Sequence, residues 1–427
     1  MSEVNLPSGW IVTALEKVTQ TRSGNSTLIK GKLHKNFRSD LFPAYSASGQ
    51  DVWHTEGEEN GVAIILSAVG ARCGKCFRTN SEKWSAIANT HIVFPIDSII
   101  DRDYLWYKIN DENFWIKGGT AQPFVKVKSS FERPFLLPPL NEQHRIVAKI
   151  EELFSELDKG IEALKIAREQ LKIYRQALLK HAFEGKLTQT EVWRERTLGQ
   201  LLGFLTSGSR GWAAYYAAKG DLFVRAQNIK HDFLELDDVA FVSLPNKTEG
   251  LRTRIQFGDL LVTITGANVT KAALVKHDLG VAYVSQHVAL CRPTEEVRPE
   301  FLYWFIVAEA AGRKQLTEMA YGAGKPGLNL ENIRSVRVPL PSLKDQQKIV
   351  ELIESKLSET DQLELALTTS LQQSEALRQS ILKRAFSGQL VAQDPHDEPA
   401  AVLLERILAE KVKSTPNAKN TRGKRNE

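Results

Sequence analysis

The chain has 427 residues, 42% hydrophobic and 25% charged, the balance of a globular protein with room for two or three domains. No apolar run approaches the roughly 18 residues of a membrane span, and "MSEVNLPSGW" lacks the basic-then-apolar pattern of a secretory leader. Three cysteines argue against a disulfide framework and for a reducing cytoplasm, and a formal net charge of +5 permits nucleic-acid binding without requiring it.

In chain order, "WIVTALEKV" from Trp10 opens a first globular part of mixed α/β character. Residues 61–77, "GVAIILSAVGARCGKCF", form a β-rich run broken by small residues, "HIVFPI" reads as a strand, and "DRDYLWYKIN" reads as a short aromatic helix. From "LLPPLNEQHRIVAKIEELF" onward the pattern is helical. Ile150, Leu153, Leu157, Gly160, Leu164, Ala167, Leu171, Tyr174 and Leu178 keep a 3-4 spacing, the seam of a coiled coil. Asn141 is a candidate N-cap with Glu142 in the first turn, and Gly185 after "KHAF" is a candidate stop. A second globular part starts near Trp193 and contains "GDLLVTITGANVTKAALV" (258–275), "HVALCRP" and "RPEFLYWFIVAEAAG". A second helical stretch follows, with Ile353, Leu363, Leu367, Leu377 and Ile381 on its seam and Lys356, Thr360, Ser370 and Ser374 interrupting it. "PAAVLLERILAEK" reads as a short terminal helix, and the basic tail from Lys411 reads as disordered.

The two halves repeat each other. "LLPPLNEQHRIVAKIEELF" and "PLPSLKDQQKIVELIESKL" align without a gap at an offset of 203 residues, as do "KHAFEGKL" and "KRAFSGQL". "GGTAQPF" at Gly118 faces "YGAGKPG" at Tyr321 at the same offset. "DYLWYKI" matches "EFLYWFI" at 197, "THIVF" matches "QHVAL" at 196, and "WIVTALEKV" faintly matches "WRERTLGQL". A helix of about 45 residues, about 65–70 Å long, needs a partner for its seam, and the other copy can supply it. An antiparallel pair, with the globular parts at opposite ends, is the preferred arrangement.

Catalytic constellations are missing from the sequence. "GARCGKC" has P-loop elements at the wrong spacing and is read as strand–turn–strand. Cys73 and Cys76 form a C-x-x-C with no second pair, so half a zinc site or a redox pair is weakly supported. No dinucleotide fingerprint, Asn-Pro-Pro-Tyr-type methyltransferase motif or serine-nucleophile elbow occurs. His91 and His287 fall at matched repeat positions and are read as structural. No metal and no catalytic residue is assigned. Binding residues do cluster in loops of both halves: Arg72, Lys75, Gln122, Lys126 and Lys128 in the first; Arg210, Arg225, Gln227, Asn228, Lys230, Lys271 and Lys325 in the second. Arg, Gln, Asn and Lys are the side chains that read base edges and hold phosphates, although any solvated loop also carries them.

The paired "LPPLNEQHRIVAKIEELF…AFEGKL" and "LPSLKDQQKIVELIE…AFSGQL", with the closing "QDPHDEPAAVLLERILAEK", resemble the specificity subunit of type I restriction-modification systems. The resemblance implies an α+β architecture. Target recognition domains would occupy residues 1–136 and 190–339, spacer helices 137–189 and 340–392, and a terminal helix and tail 393–427. It further implies that each recognition domain reads one half of a split double-stranded DNA target. Coiled-coil positions Ile150, Leu153, Leu157, Leu164, Leu171, Leu178, Ile353, Leu363, Leu367, Leu377 and Ile381 would serve pairing and subunit assembly. Two methylation subunits and the restriction subunits would be partners, with S-adenosylmethionine, ATP and Mg on those partners and none on this chain. The setting would be cytoplasmic, with no membrane. Two other readings stay open: a DNA-recognition subunit of another defence or modification system, and a coiled-coil adaptor that does not bind DNA.

Overall fold

The computed structural model describes residues 6–80, 82–187, 193–245, 249–322, 324 and 326–414. The fold is α+β, in two compact units: Met1–Glu162 with Leu371–Glu427, and Ala163–Ser370. No helix among the described residues is long and apolar enough to cross a membrane.

The first unit is built on an antiparallel sheet whose strands run in the order Thr19–Ser23, Thr90–Pro95, Ile64–Ser67 and Cys76–Arg78. Ile64, Ile65, Leu66 and Ser67 are all buried, because both faces of this strand are covered. A second sheet orders Gly49–His54, Phe42–Ser46, Lys83–Ala86 and Glu59–Asn60, with one parallel pair between Phe42–Ser46 and Lys83–Ala86. The strand Ile11–Ala14 pairs with Pro134–Leu137. The second unit uses the same plan. Its antiparallel sheet orders Leu202–Ser207, Val288–Pro293, Leu260–Thr263 and Ala272–Leu274. In its other sheet the parallel pair is Asp221–Val224 with Ala282–Val284, and Arg194–Thr197 pairs with Arg337–Leu340. The faint match of the "WIVTALEKV" and "WRERTLGQL" stretches is real: each gives a four-residue strand followed by a four-residue helix.

Strand register corrects one sequence expectation. Ser67 faces Thr90 across the first sheet, and its counterpart Thr263 faces Val288 across the second. The two strands therefore correspond at an offset of 198, not 196, and His91 matches Ala289 rather than His287. A slip of two residues keeps the inward and outward faces of a strand unchanged, so hydrophobic pattern alone could not reveal it. His91 lies within its strand beside Thr21, and burial pushes its imidazole below the usual range; His287 is exposed before its strand begins.

The two long helices span Leu140–Phe183 and Leu343–Ala385. The first begins one residue before Asn141, so Asn141 is not its N-cap; the proline pair 138–139 sets the entry, and the Asn141 side chain instead bonds Asp397. Both helices end as the glycines demand. Gly185 and Gly388 adopt φ of +73° and +72°, a left-handed conformation that costs other residues more. The next residue closes each end, Lys186 N–H donating to His181 O at 3.0 Å and Gln389 N–H to Arg384 O at 2.9 Å.

In the first unit Ile146 and Ile150 share a core with Ile381 and Ala385, and Arg378 forms an ion pair with Asp158. In the second unit Leu179, Ala182 and Phe183 share a core with Ile349 and Ile353, and Arg175 pairs with Asp361 and with Glu364 at 3.1 Å. Ile150, Leu178, Ile353 and Ile381 are buried, and Leu153, Leu157, Leu164, Leu171 and Leu367 are half-buried. Leu363 and Leu377, however, are 56% and 51% exposed, and Gly160 and Tyr174 also face solvent. Counting 3-4 steps from Ile353 gives Leu357, Thr360, Glu364, Leu367, Leu371, Ser374, Arg378 and Ile381, one residue beyond each of the two exposed leucines. Of the four polar residues expected to interrupt the seam, two lie on it: Thr360 is buried, its hydroxyl donating to Leu357 O at 2.7 Å, and Ser374 is half-buried.

The terminal helix runs Ala400–Ser414 and takes in the first four residues of the expected tail; the rest of the tail lies outside the described residues.

Candidate nucleic-acid interface

In each unit a tight glycine turn docks on a proline loop. Gly70, at φ +103°, donates its N–H to Pro123 O at 2.8 Å; Gly266, at φ +99°, donates to Pro326 O at 3.1 Å. Each turn links the last two strands of its antiparallel sheet. The strands that flank each turn are mostly buried, so the loops are positioned from below.

In the first unit this docking brings Arg72 and Gln122 onto neighbouring exposed loops, with the Arg72 guanidinium 3.5 Å from Ser48 O. Lys75 leaves the same turn toward a groove lined by Glu112, Asn113, Lys383 and Phe386. Lys126 and Lys128 are exposed just past the short strand Phe124–Val125. Cys73 and Cys76 are both buried and unpaired, and burial pushes the Cys76 thiol far above its usual range. A neutral buried thiol is a poor nucleophile and metal ligand. Among the described residues no group of three or more His, Cys, Asp or Glu is placed to hold a metal.

In the second unit the loop after Asp221–Val224 carries Arg225, Gln227 and Asn228. Asn228 is 2% exposed and fully used by its own loop: its side chain accepts from Arg225 N–H at 3.0 Å and donates to Glu235 O and Asp238 O at 2.9 and 2.8 Å. It shapes the loop and has no free edge for a base. Arg225 and Gln227 lean on the exposed Asp238, at 3.5 and 2.9 Å from its carboxylate. Lys271 is also engaged, 3.1 Å from Asp232. Asp232 is the hub of this loop. Its carboxylate accepts from Lys271, from the buried Arg313 and from Ala272 N–H, and its carbonyl accepts from the Tyr303 hydroxyl at 2.6 Å. Arg210 is exposed beside Gly211. Lys325 lies outside the described residues.

Arg225 and Gln227 line a cavity of about 270 Å³ together with Trp212, Tyr216, Gln286 and His287. Sequence reading missed Gln286 and His287 as site residues. The signal was two polar residues directly ahead of the buried apolar run 288–291, in "SQHVAL".

The family model of the type I restriction modification DNA specificity domain matches residues 223–373. The EcoBI specificity subunit of Escherichia coli is 28% identical over 312 residues, and the EcoKI specificity subunit of Escherichia coli strain K12 is 28% identical over 303. Residues 223–373 thus resemble the DNA specificity domain of type I restriction-modification systems. Each of those two alignments covers 65% of this chain and 64% of the relative. The EcoDI specificity subunit aligns over 97% of this chain and 98% of its own length at 23% identity. Two solved structures share the fold. One, from work on complex assembly and conformational transition of the type I R-M system, has a TM-score of 0.70 at 17% identity, covering 90% of this chain and all of the other. The HsdS subunit from Thermoanaerobacter tengcongensis has a TM-score of 0.59 at 18% identity, covering 91% and 99%. The family match falls almost wholly on the second unit.

Proposed function

We propose that this chain is the sequence-reading subunit of a type I restriction-modification complex, with each unit recognising one half of a bipartite double-stranded DNA target. The observation that carries this reading is the duplicated site. Two units share one sheet plan and one glycine-turn-on-proline docking, and present different side chains from the same loops. Two copies of one scaffold with different loops suit two half-sites of different sequence.

Reciprocal ion pairs support an antiparallel coiled coil with a pseudo-twofold axis. Asp158 and Arg378 exchange, at the repeat offset of 203, into Asp361 and Arg175, and both pairs form. The helices would then hold the number of unread base pairs constant. Residues 1–136 and 190–339 would be the recognition domains, and 137–189 and 340–392 the spacers. Exposed Arg72, Gln122, Lys126 and Arg210, with Arg225 and Gln227, are the candidate DNA contacts, whereas Asn228 and Lys271 would act by shaping the loops. Chemistry would belong to partners: two methylation subunits with S-adenosylmethionine, and restriction subunits with ATP and Mg. Exchanging residues 1–136 for another recognition domain tests the assignment. One half-site should change and the other stay; a change in both would refute it.

A further inference from the structure

Ser285 follows the strand Ala282–Val284 in the second unit, 5% exposed, and its hydroxyl has no hydrogen-bond partner among the described residues. Its main chain is satisfied: the N–H donates to Val224 O at 2.8 Å, and the carbonyl accepts from Gly208 and Val288 N–H at 3.3 and 3.0 Å. The fold does not require the hydroxyl. At the matching place in the first unit stands Ile87, whose N–H donates to Tyr45 O at 3.0 Å and whose side chain packs with Ala44 and Val52. A buried hydroxyl without a partner is destabilising, so its presence points to a ligand that completes it.

The cavity described above opens onto Ser285. Trp212, Tyr216 and Phe223 give it flat apolar walls, and Arg225, Gln227, Gln286 and His287 supply polar edges. Arg225 Nε is a second buried group without a partner. Flat walls with two unmet polar groups suit a planar heteroaromatic ring with acceptor atoms along one edge. The volume, about 270 Å³, falls just below the roughly 300–1,000 Å³ of sites that enclose drug-sized ligands. Shape decides between the two ways of reading a base. Groove readout needs side chains that project into the duplex, whereas these line a concavity that a stacked base cannot enter.

We propose that the second unit draws one nucleobase of its half-site out of the stack and into this cavity, where Ser285 and Arg225 bind its acceptor edge. This rests on the DNA-recognition reading above. The first unit, with Ile87 at the matching place, reads its half without such a step.

The test uses the full chain with its methylation partners on a duplex carrying the mapped target. 2-Aminopurine is placed in turn at each position of the half-site read by the second unit, leaving the methylated base unaltered because a methyltransferase everts that base itself. One position should brighten several-fold on binding, and a mismatch at that pair should tighten binding, since the unstacking is then already made. Ser285→Ile, which copies the first unit, should abolish the brightening and weaken binding several-fold; Ser285→Ala should weaken binding less and leave the fold intact. Specific binding with no brightened position overturns the everted base while sparing DNA recognition. Loss of all specific binding by the unmodified complex overturns both.

Discussion

Gln143 is wholly buried and joins the start of the first long helix to the globular part of its unit. Its side-chain oxygen accepts from Asp101 N–H at 2.8 Å, and its amide donates to Ile99 O at 3.1 Å and Pro138 O at 3.0 Å. Gln143→Ala removes all three bonds and leaves an N–H and two carbonyls without them. At about 1 kcal/mol net for each bond, the loss is about 3 kcal/mol. For a unit of this size that is a fall in Tm of about 6–12 °C. Gln143→Glu should cost at least as much, because a carboxylate would face two carbonyl oxygens. The second unit supplies an internal control. Gln346 accepts from Arg298 N–H at 2.8 Å and donates to Pro341 O at 3.0 Å and Glu296 O at 3.4 Å. Scanning calorimetry gives the size of each loss, and hydrogen exchange localises it. Gln143→Ala should speed exchange in Arg102–Ile109, and Gln346→Ala in Pro299–Val307. A Tm shift under about 2 °C, or faster exchange in the wrong unit, would refute the reasoning.

Asp232→Asn should free the loop that carries Arg225 and Gln227 and cost about 1–3 kcal/mol, because the buried Arg313 loses its nearer ion partner and keeps only Glu309, at 3.7 Å; equilibrium urea unfolding reads the cost, and unchanged hydrogen exchange across residues 229–238 would count against the hub role. Arg378→Ala should cost more than Asp158→Ala by about 0.5–1 kcal/mol, since Arg378 also lies 4.4 Å from the centre of the Phe154 ring, and a double-mutant cycle measures the remaining pair energy. The Arg145 guanidinium, 2.7 Å from Asp397, holds that carboxyl below the usual carboxylate range. A lowered native pKa gives stability that is present above the unfolded value of about 3.9 and lost as pH falls through the native one. Acidification from about pH 5 to about pH 3 should therefore lower the protection factors of Ala400–Ser414, with intrinsic exchange at each pH divided out, in the wild type more than in Arg145→Ala; equal responses would remove this pair from the acid dependence.

Long-range repetition was the most legible feature of the sequence, because helix ends and turns use residues with few substitutes. Gly185 and Gly388 mark their stops without ambiguity, and the duplicated prolines mark the helix starts to within a residue. Face assignment on the second helix was less legible. Leu363 and Leu377 drew the seam toward themselves by hydrophobicity, although Thr360, Glu364, Ser374 and Arg378 keep the true period, Glu364 and Arg378 being held by ion pairs, and Arg378 also by a ring contact, that composition does not reveal. The offset of the matched strands slipped by two residues for the related reason that period-two patterns are blind to even shifts. Loop chemistry was the least legible. Lys271 and Asn228 look like ligand contacts by residue type, but their side chains close the loop through Asp232, Glu235 and Asp238, and the unpartnered Ser285 hydroxyl has no sequence signature at all.

Two recognition units should read one split target. Mapping of methylated DNA in cells that express this chain with its methylation partners tests it most directly. The predicted result is one bipartite motif, two specific blocks separated by a fixed number of unread base pairs, with Arg225→Ala or Gln227→Ala relaxing one block only. A single continuous motif, or a gap that varies from site to site, would contradict it.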